Sequence, residues 1–264
     1  MKTYRLSSDG ALATNSSGGK LLKWEVDNKF IKTSTFDTTQ LRPQFLYESY
    51  AEYIVSRIAN YLGLDAIPYR LCRVIIDGKY DTIACESTNF LKSNEHYVSI
   101  GKMMKNGDIP FWDYGDNSTF YKLLAIFNKV EGFKENINQM ILLDSLVLNS
   151  DRHYGNFGII VNGKVRPAPL FDHGNSLFCN KHTTGIDYGT DLITPQIIQC
   201  KPFSIFFDEQ LELISGYAID FKDLDNQINK IVDYTVNTYG LPKDRGTFIK
   251  DLLKDRLNTV KKIL

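Results

Sequence analysis

The stretch NSDRHYGNFG, Asn149 to Gly158, decides how the rest of this 264-residue chain is read. It follows an apolar run, ILLDSLVL, and packs an Asp, an Arg, a His, two Asn and two Gly together. Asn and Gly suit a tight turn, because both tolerate unusual backbone angles and Asn can bond its own backbone. A turn has no use for an Asp, an Arg and a His as well.

Further along, FGIIVNGKVRPAPLF has the pattern of a β-hairpin turning at Asn162-Gly163, and LFDHGNSLF follows it. Paired strands bring their far ends together, so Asp151, Asn156 and Asp172 are expected to converge. Phosphoryl transfer needs groups of this kind. It uses a carboxylate to orient the attacking hydroxyl and accept its proton, and hard oxygen ligands for the magnesium ions on the nucleotide phosphates. The D-x-x-x-x-N step from Asp151 to Asn156 and the Asp-x-Gly at Asp172 have protein-kinase spacing. Asp151 is therefore the expected catalytic base, with Asn156 and Asp172 as metal ligands. His173 stands where kinases usually carry Phe, and Arg152 and His153 follow the Asp where kinases place His and Arg before it. These are not the loops of an ordinary eukaryotic-type kinase.

Each residue taken singly has a structural reading. Asp151 or Asn156 would cap a turn, and Asp144, inside MILLDSLVL, would bond nearby loop N–H groups to avoid being buried without partners. His153 either orders the loop or touches phosphate. The combination argues for a site, and residues upstream strengthen it.

The first third of the chain is β-rich with one inserted helix. KLLKWEV and KFIKTS flank Asp27-Asn28, and YRLCRVII and KYDTIACES flank Asp77-Gly78, so two hairpins are expected. Between them QFLYESYAEYIVSRIANYLGL, Gln44 to Leu64, reads as a helix stopped by Gly63. Tyr47, Tyr50, Ile54, Ile58 and Tyr61 give it one apolar face. Glu48 and Glu52 share another face with Val55 and Ala59, where a buried carboxylate requires a cationic partner. From about Phe90 the character changes. SNEHYVSIGKMMKNGDIPFWDYGDNS is loop-rich, and helical patterns run from FYKLLAIFNKV to the C-terminal KDRGTFIKDLLKDRLNTVKKIL. The expected fold is α+β and two-lobed, with a small sheet-containing lobe over residues 1–90 and a larger helical lobe over 91–264.

The 31 basic and 31 acidic side chains cancel, so no overall field draws the protein to nucleic acid or an anionic membrane. The N-terminus lacks the apolar core of a secretion signal, and no segment approaches the ~20 apolar residues needed to span a bilayer. Cys72, Cys85, Cys179 and Cys200 are scattered without C-x-x-C spacing and read as free thiols in a reducing cytosol. A cytoplasmic protein with no direct nucleic-acid or membrane partner is expected.

LDSLVLNSDRHYGNFG followed by LFDHGNSL resembles the catalytic core of HipA-like serine/threonine kinases, in particular the compact branch that includes the cell-translocating kinase A type. FIKTS, YAEYIVSRIANYLGL and CESTNFL extend the resemblance over most of the chain. It implies a two-lobed kinase-like fold, ATP with magnesium, and a protein Ser/Thr hydroxyl as acceptor. Lys32 then matches the strand lysine that pairs with nucleotide phosphates, and Glu52 the helix glutamate that holds it, with Glu48 as a substitute one turn earlier. NSSGGK, including Ser17, Gly18, Gly19 and Lys20, takes the place of the phosphate-covering loop, where phosphorylation of Ser16 or Ser17 would disrupt phosphate binding. Glu86, Ser87 and Phe90 lie in the hinge that reads adenine through backbone groups, and His153 is a phosphate contact. Longer family members carry an extra N-terminal subdomain for which this chain has no room, so an antitoxin-like regulator finds no support in it.

Other readings stay open on the sequence. Asp151, His153, Asp172 and His173 would suit a metal-dependent phosphohydrolase, though that leaves Lys32 and Glu52 without a task. A lipid or small-molecule kinase shares the same style of loop, and a nucleotide-binding module would bind ATP and transfer nothing.

Overall fold

The computed structural model describes residues 1–12, 21–37, 44–179 and 199–264. Strand β1 (Thr3–Leu6) is followed by the expected first hairpin, β2 (Lys23–Val26) and β3 (Lys29–Thr33). Its turn residues Asp27 and Asn28 have φ of 51° and 60°, the left-handed conformation that matches the twist of the paired strands. β4 (Phe36–Asp37) and β5 (Gln44–Phe45) form a short pair of their own. Helix α1 spans Glu48–Tyr61, so it starts later than its sequence pattern because Gln44 and Phe45 are drawn into pairing with β4. Gly63, with φ of 69°, follows its end as expected.

The second hairpin, β6 (Arg70–Ile76) and β7 (Tyr80–Thr88), turns at Asp77 and Gly78 with φ of 52° and 67°. β3 pairs with β7, and β1 lies parallel to β6, giving one sheet in the order β1-β6-β7-β3-β2. Strand alternation divides its residues between two faces. Tyr4, Trp24, Ile31, Cys72, Val74, Ile76 and Ala84 pack together as one apolar cluster. Phe30 and Lys32 alternate with Ile31 and face the other way, toward α1.

The stretch after Phe90 is more ordered than its composition suggested. β8 (His96–Ser99) and α2 (Ile100–Asn106) lie within it, and β8 pairs with β9 (Gly158–Asn162), which also pairs with β10 (Lys164–Pro167). A four-residue strand has too few alternations to be seen locally, and its partner is far along the chain. The β9–β10 hairpin was expected.

The helices α3 (Ser118–Ile126), α4 (Phe133–Val147), α5 (Phe207–Glu212), α6 (Leu224–Tyr239) and α7 (Lys243–Ile263) make up the C-terminal part. α5 is shorter than the pattern DEQLELISGYAI implied, and Gly216, at φ of 84°, lies beyond its end. α4 is buried nearly all round, as an apolar helix must be, and packs in the largest core cluster with α1, α6 and α7. It ends at Leu148 in the left-handed conformation (φ 54°), which turns the chain directly into NSDRHYGNFG. Among the described residues no helix is long and apolar enough to cross a membrane. All four cysteines are free and buried. The α+β, two-lobed kinase-like architecture expected from the sequence is the observed one.

Candidate active site

Asp144, in the last turn of α4, is fully buried and accepts hydrogen bonds from Arg152 Nε (2.7 Å), Arg152 Nη2 (3.0 Å) and Asn149 Nδ2 (2.9 Å). Arg152 Nη1 donates onward to the carbonyls of Asn156 (3.0 Å) and Phe171 (2.6 Å). One buried guanidinium thereby ties the loop carrying Asp151 and Asn156 to the residue preceding Asp172. Asp144 is structural, as expected, but its partner is this planar fork and the Asn149 amide in place of loop N–H groups. Burying two charges is costly, and here each is met by several hydrogen bonds that offset the loss of water.

Asp151 is half-buried. Its carbonyl accepts from His153 N (2.8 Å) and from Asn156 Nδ2 (3.1 Å), so the Asn156 amide oxygen is the end left for a ligand. Its carboxylate accepts from Asn175 Nδ2 at Oδ2 (3.1 Å) and from Lys201 Nζ at Oδ1 (3.2 Å). The loop carrying Asp151 is thus bonded directly to the segment that follows Asp172, through Asn175 three residues on. His153 Nδ1 accepts from Gly155 N (3.0 Å), which engages that nitrogen in ordering the loop.

Lys32 Nζ donates to Glu52 Oε1 (3.1 Å) and to Asp172 Oδ1 (2.6 Å). The other oxygen of Glu52 accepts from His173 N (2.8 Å), so a single carboxylate holds the strand lysine and the Asp-x-Gly backbone together. Asp172 sits at φ of 62°, in the left-handed conformation that Asp adopts more readily than most non-glycine residues. Gly174 leaves little space here: a Cβ would lie 3.3 Å from Glu48 Cβ and 3.4 Å from Glu52 Oε1. Burial alone would pull the Lys32 ammonium down, but the Asp172 and Glu52 carboxylates outweigh it and hold it well above its ordinary value. Burial likewise opposes the charge on Asp172, and Lys32 and Arg152 overcome it, holding the carboxyl well below its usual range. His173 is kept neutral, pulled well below its ordinary value by burial and by the neighbouring Arg152. Glu52, and not Glu48, is therefore the partner of Lys32. Glu48 Oε2 instead accepts from Thr35 N (3.3 Å), and burial pushes its carboxyl up to about 7.

Ser87 lies opposite Phe30 in the β3–β7 register, on the strand face that carries Lys32. Glu86 pairs with Ile31 and turns to the opposite face, where its carboxylate accepts from Tyr4 Oη (2.5 Å) and Lys29 Nζ (3.0 Å). Its side chain is thus engaged away from Lys32, and only its backbone is available to a base. Phe90 stacks on Phe171 with ring centroids 5.6 Å apart, next to Asp172 in sequence. Ser16, Ser17, Gly18, Gly19 and Lys20 lie outside the described residues.

The sequence reading missed three groups. Asn175 was visible inside LFDHGNSL, but nothing local marked its amide as a partner of Asp151. Lys23 stands opposite Lys32 in the β2–β3 register, its Nζ 4.2 Å from the Phe30 ring centroid. Burial and then the charge of Lys32 pull Lys23 down. Lys201 reaches Asp151 from a segment with no periodic relation to it.

A β-sheet part holding a lysine–glutamate pair over a helical part with paired Asp-bearing loops defines the kinase-like fold. Its structural neighbours include the proinflammatory kinase CtkA of Helicobacter pylori, which aligns with a TM-score of 0.62 at 20% identity over 92% of each chain. Also similar are a chain of the Shewanella oneidensis MR-1 complex of HipA, HipB and operator DNA (TM-score 0.49, 14% identity, 96% of this chain and 65% of that one) and hydra Fam20 (TM-score 0.46, 12% identity, 95% and 84%). The likeness in fold to CtkA extends over nearly the whole of both chains. No protein-family model and no curated protein matches the chain.

Proposed function

We propose that the protein is an ATP-dependent protein serine/threonine kinase of HipA-like type. The observation that carries this reading is the joint hold of Lys32 on Glu52 and Asp172, because it links the sheet, α1 and the metal motif in one hydrogen-bonded cluster. In this reading Lys32 binds the nucleotide phosphates, and the backbone of Glu86 and Ser87 with the side chain of Phe90 receives the adenine. His153 offers its free ring nitrogen to phosphate, and the division between lobes falls near residue 90.

The residues fit magnesium. Lys32 carries one positive charge against the carboxylates of Glu52 and Asp172, and Asp172 with the Asn156 amide supplies hard oxygens, which magnesium completes with phosphate and water. Bound there, it would neutralise charge on the phosphates. Asp151 holds the acceptor hydroxyl. As that oxygen bonds to the γ-phosphorus, its proton passes to the Asp151 carboxylate, the bond from phosphorus to the bridging oxygen breaks, and ADP leaves with the electron pair. The phosphohydrolase reading is less well served, since His153 Nδ1 is engaged by Gly155 and His173 is buried near Asp144. A protein acceptor, rather than a lipid or small molecule, rests on the resemblance of the loops, and a cytoplasmic location on the free thiols.

The test is phosphoprotein formation with ATP and magnesium, comparing wild type with Asp151→Asn and Lys32→Met. Loss in both variants is expected. Undiminished transfer in Asp151→Asn, or phosphoester hydrolysis that needs no ATP, would overturn the assignment.

A further inference from the structure

The geometry points to Lys201 as a positioning residue for phosphoryl transfer, holding the Asp151 carboxylate in place and setting a positive charge beside the acceptor. This inference rests on the kinase reading. Lys201 Nζ lies 3.2 Å from Asp151 Oδ1 while Asn175 Nδ2 lies 3.1 Å from Oδ2, so the two carboxylate oxygens are pinned by two separate segments. An ion pair on an open surface is worth little, because holding two long side chains in one geometry costs entropy. Lys201 differs from such a case in how it is held. Its Nζ is 5.5 Å from the Tyr114 ring centroid, and that ring stacks on Tyr154 at 4.9 Å. The adjoining backbone is fixed by Gly115 N donating to Pro202 O (2.9 Å) and by Phe203, which is fully buried and packs on Phe120 and Phe157. The ammonium is thus held beside Asp151 by the Tyr114 ring and by backbone anchored at Pro202 and Phe203, in a pair whose side chains are 35% and 33% exposed.

A carboxylate oxygen has a second lone pair, so the acceptor hydroxyl can bond to Asp151 while Lys201 remains. The ammonium then stands next to the atoms that exchange partners. In the transfer, the acceptor oxygen gains the bond to phosphorus, its proton goes to Asp151, and the bridging oxygen leaves with its electron pair on ADP. Negative charge spreads over the phosphoryl oxygens meanwhile, and a pre-placed cation favours that state. Lys201 acts on the transfer step and on the alignment of Asp151. In the kinase reading the nucleotide is bound through Lys32, which bonds Glu52 and Asp172 and not Asp151.

The test compares wild type, Lys201→Met, Lys201→Arg and Asp151→Asn for kcat and KM toward a Ser/Thr peptide library, together with ATP binding and thermal midpoint. Lys201→Met is expected to lower kcat roughly 10- to 100-fold, with ATP affinity within about twofold and the midpoint near wild type, since Lys201 bears on charge placement and not on the core. Lys201→Arg should recover most of the loss. Wild-type kcat in Lys201→Met, a rise in kcat, or equal losses in Met and Arg variants alongside a lowered midpoint would each overturn the inference while Asp151→Asn stays inactive. A wild-type protein that transfers nothing, or an Asp151→Asn variant that transfers normally, instead overturns the kinase reading and this inference with it.

Discussion

Replacing Arg152 by Met should destabilise the protein and misplace the loop that carries Asp151 and Asn156 at once. The guanidinium is fully buried and makes four hydrogen bonds, two to Asp144 and one each to the carbonyls of Asn156 and Phe171. Removing one partner of a buried ion pair leaves the other charge uncompensated, which typically costs about 3–5 kcal/mol. For a chain of this size 1 kcal/mol moves the thermal midpoint by about 2–4 °C. A fall of roughly 8–16 °C therefore follows for a cost of about 4 kcal/mol. The control is the double variant Asp144→Leu/Arg152→Met, in which neither charge remains. It should lie above the level given by adding the two single losses, because each single variant strands a charge and the double strands none. Differential scanning calorimetry without nucleotide measures all four proteins. A midpoint for Arg152→Met within about 2 °C of wild type, or strictly additive losses in the double variant, would refute the reasoning.

Two further outcomes follow from the buried polar and close-packed positions. Glu48 has its carboxyl raised by burial from 4.5 to about 7, so the folded state binds its proton more tightly than the unfolded chain does. The stabilising contribution is fully present below the unfolded value and is lost as pH rises from about 4.5 to 7, by about 2–3 kcal/mol. Urea titrations at pH 5 and pH 8 should show wild type losing more stability than Glu48→Gln over that interval, and a parallel response of the two proteins would contradict it. Gly158→Ala places a Cβ against the Val98 carbonyl oxygen and 2.7 Å from Ser99 Cα, both on the backbone of β8. Because backbone cannot swing aside as a side chain can, the β8–β9 pair should separate, with a loss of at least about 1–3 kcal/mol, read as faster amide exchange at residues 96–99 and 158–161.

Features that depend on neighbouring residues were legible in the sequence. The turns at Asp27-Asn28 and Asp77-Gly78 form because those side chains accept left-handed backbone angles, and that preference is local. The loop–hairpin–loop order around Asp151 and Asp172 was legible for the same reason, since a tight hairpin forces its ends together. The Lys32–Glu52 pair was anticipated from the resemblance to HipA-like kinases, but the choice between Glu52 and Glu48 depends on how α1 is rotated against the sheet. β8 escaped notice because its partner β9 lies far along the chain, and β1 because it joins the sheet beside the distant β6. Lys201 escaped for a similar reason: Tyr114 and Pro202 come together only in the folded chain.

Helix α1 is fastened at several points to α6 and to the residues just before it. Tyr50 Oη donates to the Tyr239 carbonyl (3.0 Å), Tyr61 Oη donates to the Lys222 carbonyl (2.9 Å), and the Tyr53 and Tyr239 rings meet edge to face at 5.5 Å. The helix that presents Glu52 to Lys32 is thereby braced against α6 at its own opposite side. The carboxylate that holds Lys32 is consequently placed by contacts 189 residues away in the sequence, through Tyr50 and Tyr239.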